Sequence, residues 1–151
     1  MNEYIGHFSQ LYSIEEHKLT GGKGDGMRLL EVNNGKGLMF TVSLDRAGDI
    51  SKMYYKGTNL VFVGPCGYVS PEYYDDKGLG FLKSMSAGLL TTCGLTAVGS
   101  PCIDDGEELP LHGTISNIPA ENVSYWVEND KINIILTVRD AHTHTAYSSQ
   151  F

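Results

Sequence analysis

The chain has 151 residues, of which 41% are hydrophobic and 19% charged, with 18 glycines and 9 tyrosines. This composition excludes a disordered chain, and the length allows one domain with a hydrophobic core. The net charge of -7 argues against nucleic acid or an anionic membrane surface as partner, because such surfaces are bound by clusters of Lys and Arg, and a small neutral ligand is the better expectation.

The first two thirds of the sequence predict short strands between turns rich in Gly and Asn. Strands are predicted at residues 11–19 and 27–32, on either side of a glycine-rich loop. A third strand with one bulky apolar face follows, because apolar residues recur at every second position at Leu38, Phe40, Val42 and Leu44. Further strands are predicted at residues 50–55, 60–63 and 89–93, and a short helical turn around residues 71–76.

The last third contains the clearest hairpin pattern. Apolar residues alternate with polar ones on both sides of Asn129-Asp130, which predicts two strands with one buried face. The alternating residues are Val123, Tyr125, Val127, Ile132, Ile134, Leu136 and Val138. No segment shows the spacing of a long amphipathic helix. The predicted fold class is therefore all-β, an antiparallel sandwich or barrel with little helix.

The segment from residue 88 to residue 120 is the best candidate for a functional site. Its glycines and prolines exclude a helix, yet it keeps enough apolar residues to pack, so an ordered loop is expected. His112 lies there between Leu111 and Gly113, where a ligand could approach the backbone and an imidazole could transfer a proton. A surface or half-buried histidine bonded to a backbone carbonyl is the alternative, and the spacing alone favours this alternative.

Four short sequence motifs, or words, carry a resemblance to a known family. They are DRAGDI at residues 45–50, GLLTTCGL at 88–95, LHG at 111–113 and ISNIPA at 115–120. In this order they resemble the aldose 1-epimerase family of the galactose-mutarotase-like superfamily, in particular its DUF4432 branch, from about residue 27 to residue 139. The resemblance implies a large antiparallel β-sandwich whose concave face holds a sugar, with an active-site histidine at His112.

The resemblance also implies an isomerase reaction at the anomeric centre of an aldose. Ring opening needs a base for the anomeric hydroxyl and an acid for the ring oxygen. His112 is the expected catalytic residue, and in the superfamily a second histidine and a glutamate complete the site at positions that would lie beyond Phe151. Residues 1–151 are therefore expected to form a single incomplete sandwich domain, with residues 139–151 off the family pattern. Unpaired strand edges in such a domain favour a second copy or a complementing chain.

The alternatives to an enzyme are a non-catalytic sugar-binding or interaction module, or an inactive fragment. Two basic residues are candidate substrate-binding groups in either functional reading. Lys83 precedes the GLLTTCGL word where related proteins often carry a basic residue, although a solvated lysine is the alternative. Arg46 belongs to the DRAGDI word, although a pair with Asp45 that fixes a turn is the alternative.

No metal site and no cofactor are expected. The acidic segment at residues 104–108 lacks the alternating ligands of a calcium loop and predicts a solvated turn. His142 and His144 could share a strand face, but a third ligand is not identified. The three cysteines, Cys66, Cys93 and Cys102, form no C-x-x-C word, which favours reduced thiols in a cytoplasmic protein. The N-terminus lacks the signal-peptide pattern, and no run of eighteen apolar residues occurs, so neither secretion nor a membrane span is expected.

Overall fold

Antiparallel strands make up most of the regular structure in the computed structural model, which describes residues 3–140 and the backbone of residues 145–150. The first sheet contains five strands in chain order, each hydrogen-bonded to the next. They are β1 (Ser13–Lys18), β2 (Arg28–Asn33), β3 (Leu38–Ser43), β4 (Asp49–Tyr55) and β5 (Thr58–Asn59). The glycine-rich loop between β1 and β2 and the turn after Asn33 lie where the sequence predicts reversals.

Two further sheets follow along the chain. A small hairpin pairs β6 (Cys102–Asp104) with β7 (Glu107–Leu109). The third sheet has the order β10-β9-β8 and consists of β8 (Glu121–Glu128), β9 (Lys131–Asp140) and β10 (Thr145–Gln150). The helical segments of the described part are 3-10 turns of three or four residues, among them Pro71–Tyr73 and Gly80–Lys83. None of them is long and apolar enough to cross a membrane.

The hydrophobic core lies between the first sheet and β9, which makes the fold a β-sandwich. Alternate residues of β2, β3 and β9 point into it, as their period of two requires. The buried members from these strands and the loop after β3 are Leu30, Val32, Val42, Leu44, Ala47, Ile134, Leu136 and Val138. Leu136 packs directly on Gly48, where a Cβ atom would lie 2.6 Å from its Cδ2 atom. This confirms the predicted all-β sandwich with little helix.

The opposite face of the first sheet is covered as well. Thr41 and Ser43 of β3 are 5% and 1% exposed, although they alternate with the core residues. The long segment between β5 and β6 covers this face: the hydroxyl of Tyr68 lies 2.9 Å from that of Ser51, and Leu90 accepts a hydrogen bond from the N–H of Ile50 at 3.1 Å. The segment that carries the four-residue 3-10 turn and the GLLTTCGL word is therefore held against the sheet.

Most predicted strands are confirmed, but those at residues 60–63 and 89–93 are wrong. Each segment forms one isolated bridge, Val63 to Ala87 and Leu90 to Ile50. Their glycine-rich surroundings turn the chain away after a single pair, so no ladder develops. The short strands β5, β6 and β7 were not predicted. In the β6–β7 hairpin, Asp105 and Gly106 have φ angles of 46° and 83° and form the tight turn, which confirms the solvated acidic turn.

The predicted hairpin of β8 and β9 is confirmed, but its fully buried residues lie on β9, whereas Val123 of β8 is only partly buried against the core. Tyr125 and Val127 of β8 stay 41% and 37% exposed, although they pair with the core-facing Ile134 and Ile132. An apolar groove of about 820 Å³, which Val127 lines, separates the tip of this hairpin from the turn between β2 and β3 and leaves Val127 partly uncovered. All three cysteines are free. The pair His142 and His144 lies outside the described residues.

Candidate functional site

His112 lies in an ordered loop with a left-handed backbone, at a φ angle of 61°. Its N–H donates to the carbonyl of Gly99 at 3.1 Å, and its own carbonyl accepts from the N–H of Gly94 at 3.0 Å. The imidazole is half-buried, and its edge meets the ring of Phe81 with centroids 5.4 Å apart. Backbone pairing on both sides thus holds the loop in place, as the sequence predicts for this segment.

The imidazole of His112 accepts a hydrogen bond from a backbone N–H. Its Nδ1 atom lies 3.1 Å from the amide nitrogen of Gly99. A nitrogen that accepts a hydrogen bond carries no proton, so the neutral ring carries its proton on Nε2. The alternative, in which the ring donates to a backbone carbonyl, is therefore wrong for Nδ1, because this atom accepts a hydrogen bond from a backbone N–H. No hydrogen-bond partner of Nε2 occurs among residues 3–140, which leaves this N–H as the donor that a ligand can use.

The 3-10 turn Gly80–Lys83 connects the surroundings of His112 with those of Arg46. Phe81, which is 1% exposed, contacts the imidazole. The carbonyl of Ser84, the next residue after the turn, accepts a hydrogen bond from Nη1 of Arg46 at 2.9 Å. One four-residue segment therefore brings two of the three sequence-predicted site residues into the same region of the fold.

Lys83, the third predicted residue, belongs to the same turn but has a surface partner. Its ammonium group lies 2.6 Å from the carboxylate of Asp75, and its side chain is 73% exposed. The hydrogen bond from Lys83 lowers the pKa of Asp75, with a further contribution from the N–H of Lys77. Within the described residues Lys83 forms no side-chain hydrogen bond to His112 or Arg46.

Arg46 is a buried cation with incomplete hydrogen bonding. The residue is 2% exposed, and burial lowers the pKa of its guanidinium. Its Nε and Nη2 atoms have no hydrogen-bond partner within the part of the chain that the structure describes. The alternative pair of Arg46 with Asp45 is wrong, because Asp45 binds Arg28 of β2 instead, with Nη2 and Oδ1 2.6 Å apart. Arg46 is thus left with donors that a ligand or a water molecule could satisfy.

Asp49, at the start of β4, is a site residue that the sequence analysis missed. It is 2% exposed, and its Oδ1 atom accepts a hydrogen bond from the N–H of Thr92 at 2.5 Å. Burial raises the pKa of Asp49 to about 6, an effect partly offset by Thr92 and by the charge of Arg46. This bond joins the DRAGDI word to the GLLTTCGL word. The sequence contained a signal for Asp49, because this residue belongs to the same DRAGDI word as Arg46.

Asp49 makes the stability of the protein depend on pH. Its folded pKa exceeds the unfolded one, so the native state holds the proton more tightly, and the free energy of unfolding falls as pH rises from about 4 to about 6. Asp49→Asn should remove this pH-dependent part of the free energy of unfolding, which amounts to about 3 kcal/mol over the whole titration. The reason is that an amide does not ionise, although its oxygen still accepts the hydrogen bond from Thr92. Urea unfolding at pH 4, 5, 6 and 7 measures it.

The exposed Asp105→Asn variant is the control for this titration, since its carboxylate lies in the solvated turn. We expect its stability curve to follow that of the wild-type protein. If Asp49→Asn shows the same change of stability between pH 4 and pH 7 as the wild type, then Asp49 does not titrate in this range and the assignment is wrong.

Comparisons with known proteins agree with this architecture. The family model for a domain of unknown function, DUF4432, matches residues 24–148. A crystal structure of a candidate aldose 1-epimerase from Klebsiella pneumoniae subsp. pneumoniae matches with a TM-score of 0.79 and 28% sequence identity. The match covers 89% of this chain and 38% of that protein, so the chain spans well under half of the related structure.

None of the curated proteins compared with the chain matches it. The structural match confirms the predicted galactose-mutarotase-like β-sandwich. The family model in turn extends over most of the sequence, from the loop before β2 into β10. The chain therefore belongs to the DUF4432 family.

Proposed function

We propose that this chain binds an aldose at the loop of His112 and acts on its anomeric centre as aldose 1-epimerases do. The observation that carries the proposal is the hydrogen bond from the N–H of Gly99 to Nδ1 of His112. It fixes the tautomer and leaves Nε2–H to donate to a sugar oxygen. The related Klebsiella protein, described as a candidate aldose 1-epimerase, supports the choice of substrate class.

The same hydrogen bond restricts the chemical role of His112. In mutarotation the bond between the anomeric carbon and the ring oxygen breaks, the anomeric hydroxyl loses its proton, and the ring oxygen gains one. Protonation of the imidazole at Nδ1 would cost the hydrogen bond from Gly99. His112 therefore acts as a neutral donor that stabilises the charge developing on the ring oxygen, as preorganised donors do in other enzymes. Another group has to move the proton.

Arg46 is the stronger of the two proposed substrate-binding residues. Its unpartnered Nε and Nη2 atoms carry a desolvation penalty, because an unsatisfied buried donor costs about 1–3 kcal/mol. A sugar hydroxyl, or a water molecule that bridges to one, would relieve it. Lys83 would contact the substrate only after its ion pair with Asp75 opens, and such exposed pairs contribute little.

A non-catalytic sugar-binding module is the second candidate. It is favoured by the surroundings of His112, since the hydrogen bond and the ring contact of the imidazole among the described residues are made by the amide of Gly99 and the ring of Phe81, and neither group titrates. In both readings the exposed Tyr125, Trp126 and Val127 of β8 offer a surface for a second copy or a complementing chain.

Polarimetry and NMR on the unmodified chain separate these functions. Freshly dissolved α-D-glucose or α-D-galactose should relax faster with the protein than with a heat-denatured sample in the same buffer. In parallel, the amide resonances of Gly99 and His112 should shift on addition of either sugar. Resonance shifts without acceleration of mutarotation support the binding module. If both the shifts and the acceleration are absent at high millimolar sugar, both candidate functions are contradicted.

A further inference from the structure

An open cavity of about 460 Å³ with a mixed polar and apolar lining begins at Thr114, two residues after His112, and lies outside the site described above. Neither His112, Arg46 nor Lys83 lines it. Its volume falls in the range of small-molecule sites, about 300–1,000 Å³. Polar side chains from three separate segments converge on it, namely Tyr74, Asp76, Thr114, Asn117, Arg139 and Asp140.

Asn117 supplies a hydrogen-bond acceptor that nothing in the described part of the chain satisfies. The residue is 7% exposed, and its amide nitrogen donates to Oγ of Ser116 at 3.2 Å. Its Oδ1 atom is buried without a hydrogen-bond partner among the described residues. A buried acceptor left in this state costs about 1–3 kcal/mol, and a ligand hydroxyl that displaces the groups covering Oδ1 would recover part of that cost.

The other walls of the cavity are fixed by their own hydrogen bonds. Asp140, at the end of β9, is 3% exposed, and its Oδ2 atom accepts from the hydroxyl of Thr114 at 3.2 Å. The hydroxyl of Tyr74 donates to the carbonyl of Gly113, directly after His112, at 3.3 Å. The cavity is therefore anchored to the same loop that positions His112, since Thr114 follows His112 by two positions, a distance along the chain of at most about 7 Å.

The groups around the cavity define the chemical class of the ligand. The carboxylates of Asp76 and Asp140 disfavour a phosphate or a carboxylate, and the guanidinium of Arg139, which is ion-paired with Glu121, disfavours a metal ion. Hydroxyl groups suit the set, because each can donate to an amide or carboxylate oxygen and accept from a guanidinium. The ring of Tyr74 and the side chain of Ile118 add the apolar surface that the C–H face of a sugar needs.

We propose that this cavity is a subsite for the hydroxyl groups of a carbohydrate, with Oδ1 of Asn117 as the acceptor that selects their pattern. The proposal rests on the proposed function that the chain binds an aldose, and it assigns specificity to residues away from His112. A methyl glycoside tests it well, because its anomeric oxygen is blocked while the remaining hydroxyls stay free to bind.

The first test uses the unmodified chain and methyl α-D-glucopyranoside, together with methyl α-D-galactopyranoside and methyl α-D-mannopyranoside, each of which differs from the glucoside at a single hydroxyl. The side-chain amide resonances of Asn117 should shift with at least one of them and to different extents among the three. The side-chain amide of Asn133 is the internal control, since it donates to the carbonyl of Lys131 away from the cavity and should not shift.

The second test uses variants. Asn117→Leu should weaken binding of the preferred glycoside about tenfold, the loss expected for one buried hydrogen bond. Asn117→Asp, which keeps an acceptor oxygen, should bind better than Asn117→Leu, and the control Asn133→Leu should bind as the wild type does. If Asn117→Leu fails to fold, the shifts of the Asn117 side-chain amide in the wild-type protein decide whether the subsite exists.

The outcomes separate the two proposals. If free aldoses shift the His112 loop while the Asn117 amide stays unmoved with every sugar and Asn117→Leu binds normally, the subsite is wrong and the proposed function stands. If no aldose and no glycoside shifts any resonance, the proposed function itself fails.

Discussion

His112→Ala is expected to reduce the protein-dependent acceleration of aldose mutarotation by on the order of 10²-fold or more, the effect seen when one preorganised donor to a developing negative charge is removed. The ring presents a single tautomer, with Nδ1 held by Gly99, so no other atom of the loop replaces the Nε2–H donor. Initial polarimetric rates, corrected for the buffer reaction, measure the effect.

Two further substitutions separate the donor from the backbone. His112→Asn suits the left-handed φ angle of 61° and should fold well, yet it cannot reach the position of Nε2. His112→Gln is longer, so its amide can place an N–H near that position, and it should keep more sugar binding than the alanine variant. His17→Ala, an exposed change on β1 beside Glu15, is the control. A wild-type rate in His112→Ala would refute the role proposed for this residue.

The sequence predicts best those elements whose burial is decided by local alternation. The strand β9 shows this, because Ile134, Leu136 and Val138 carry the period of two and all three are buried as expected. The turn at Asn129-Asp130 adds a local signal, since both residues adopt positive φ angles there, at 51° and 59°.

Features set by distant partners could not be predicted in this way. Asp45 was weighed as a partner of its neighbour Arg46, but the fold places it beside Arg28, which is 17 residues away in sequence. The segment around Leu90 has the composition of a strand, yet it makes one bridge to Ile50 and then turns away. Local propensity does not specify how long a ladder becomes, because that depends on the neighbouring segment.

The candidate site shows the same division. The words around Arg46 and His112 indicated the right region, and the 3-10 turn Gly80–Lys83 connects the two residues. The buried side chains of Asp49 and Asn117 were missed, although both lie within the quoted words, because the burial of a polar side chain is visible only once the packing around it is known. Composition alone predicts such residues to be exposed.

Leu136→Ala is expected to lower the free energy of unfolding by about 2–5 kcal/mol, the cost of a cavity at a fully buried leucine. Leu136 is 0% exposed and lies in the middle of β9, between the core residues Ile134 and Val138. Urea unfolding should show a lower midpoint with an unchanged denaturant dependence. Leu136→Met nearly conserves volume and should cost less than about 1.5 kcal/mol. A loss below about 1 kcal/mol for the alanine variant would mean that the two sheets do not pack through this residue.

Gly48→Ala tests the same contact from the first sheet. The new Cβ atom would lie 2.6 Å from Cδ2 of Leu136, and the φ angle of 80° adds backbone strain. When Gly48→Ala is combined with Leu136→Ala, the steric part of its cost disappears, whereas the backbone strain of about 1–2 kcal/mol remains. The double variant should therefore lose less stability than the two single losses together, because residues in contact couple. Additive losses would show that Gly48 is required for its backbone angle alone and that Leu136 can move aside without cost.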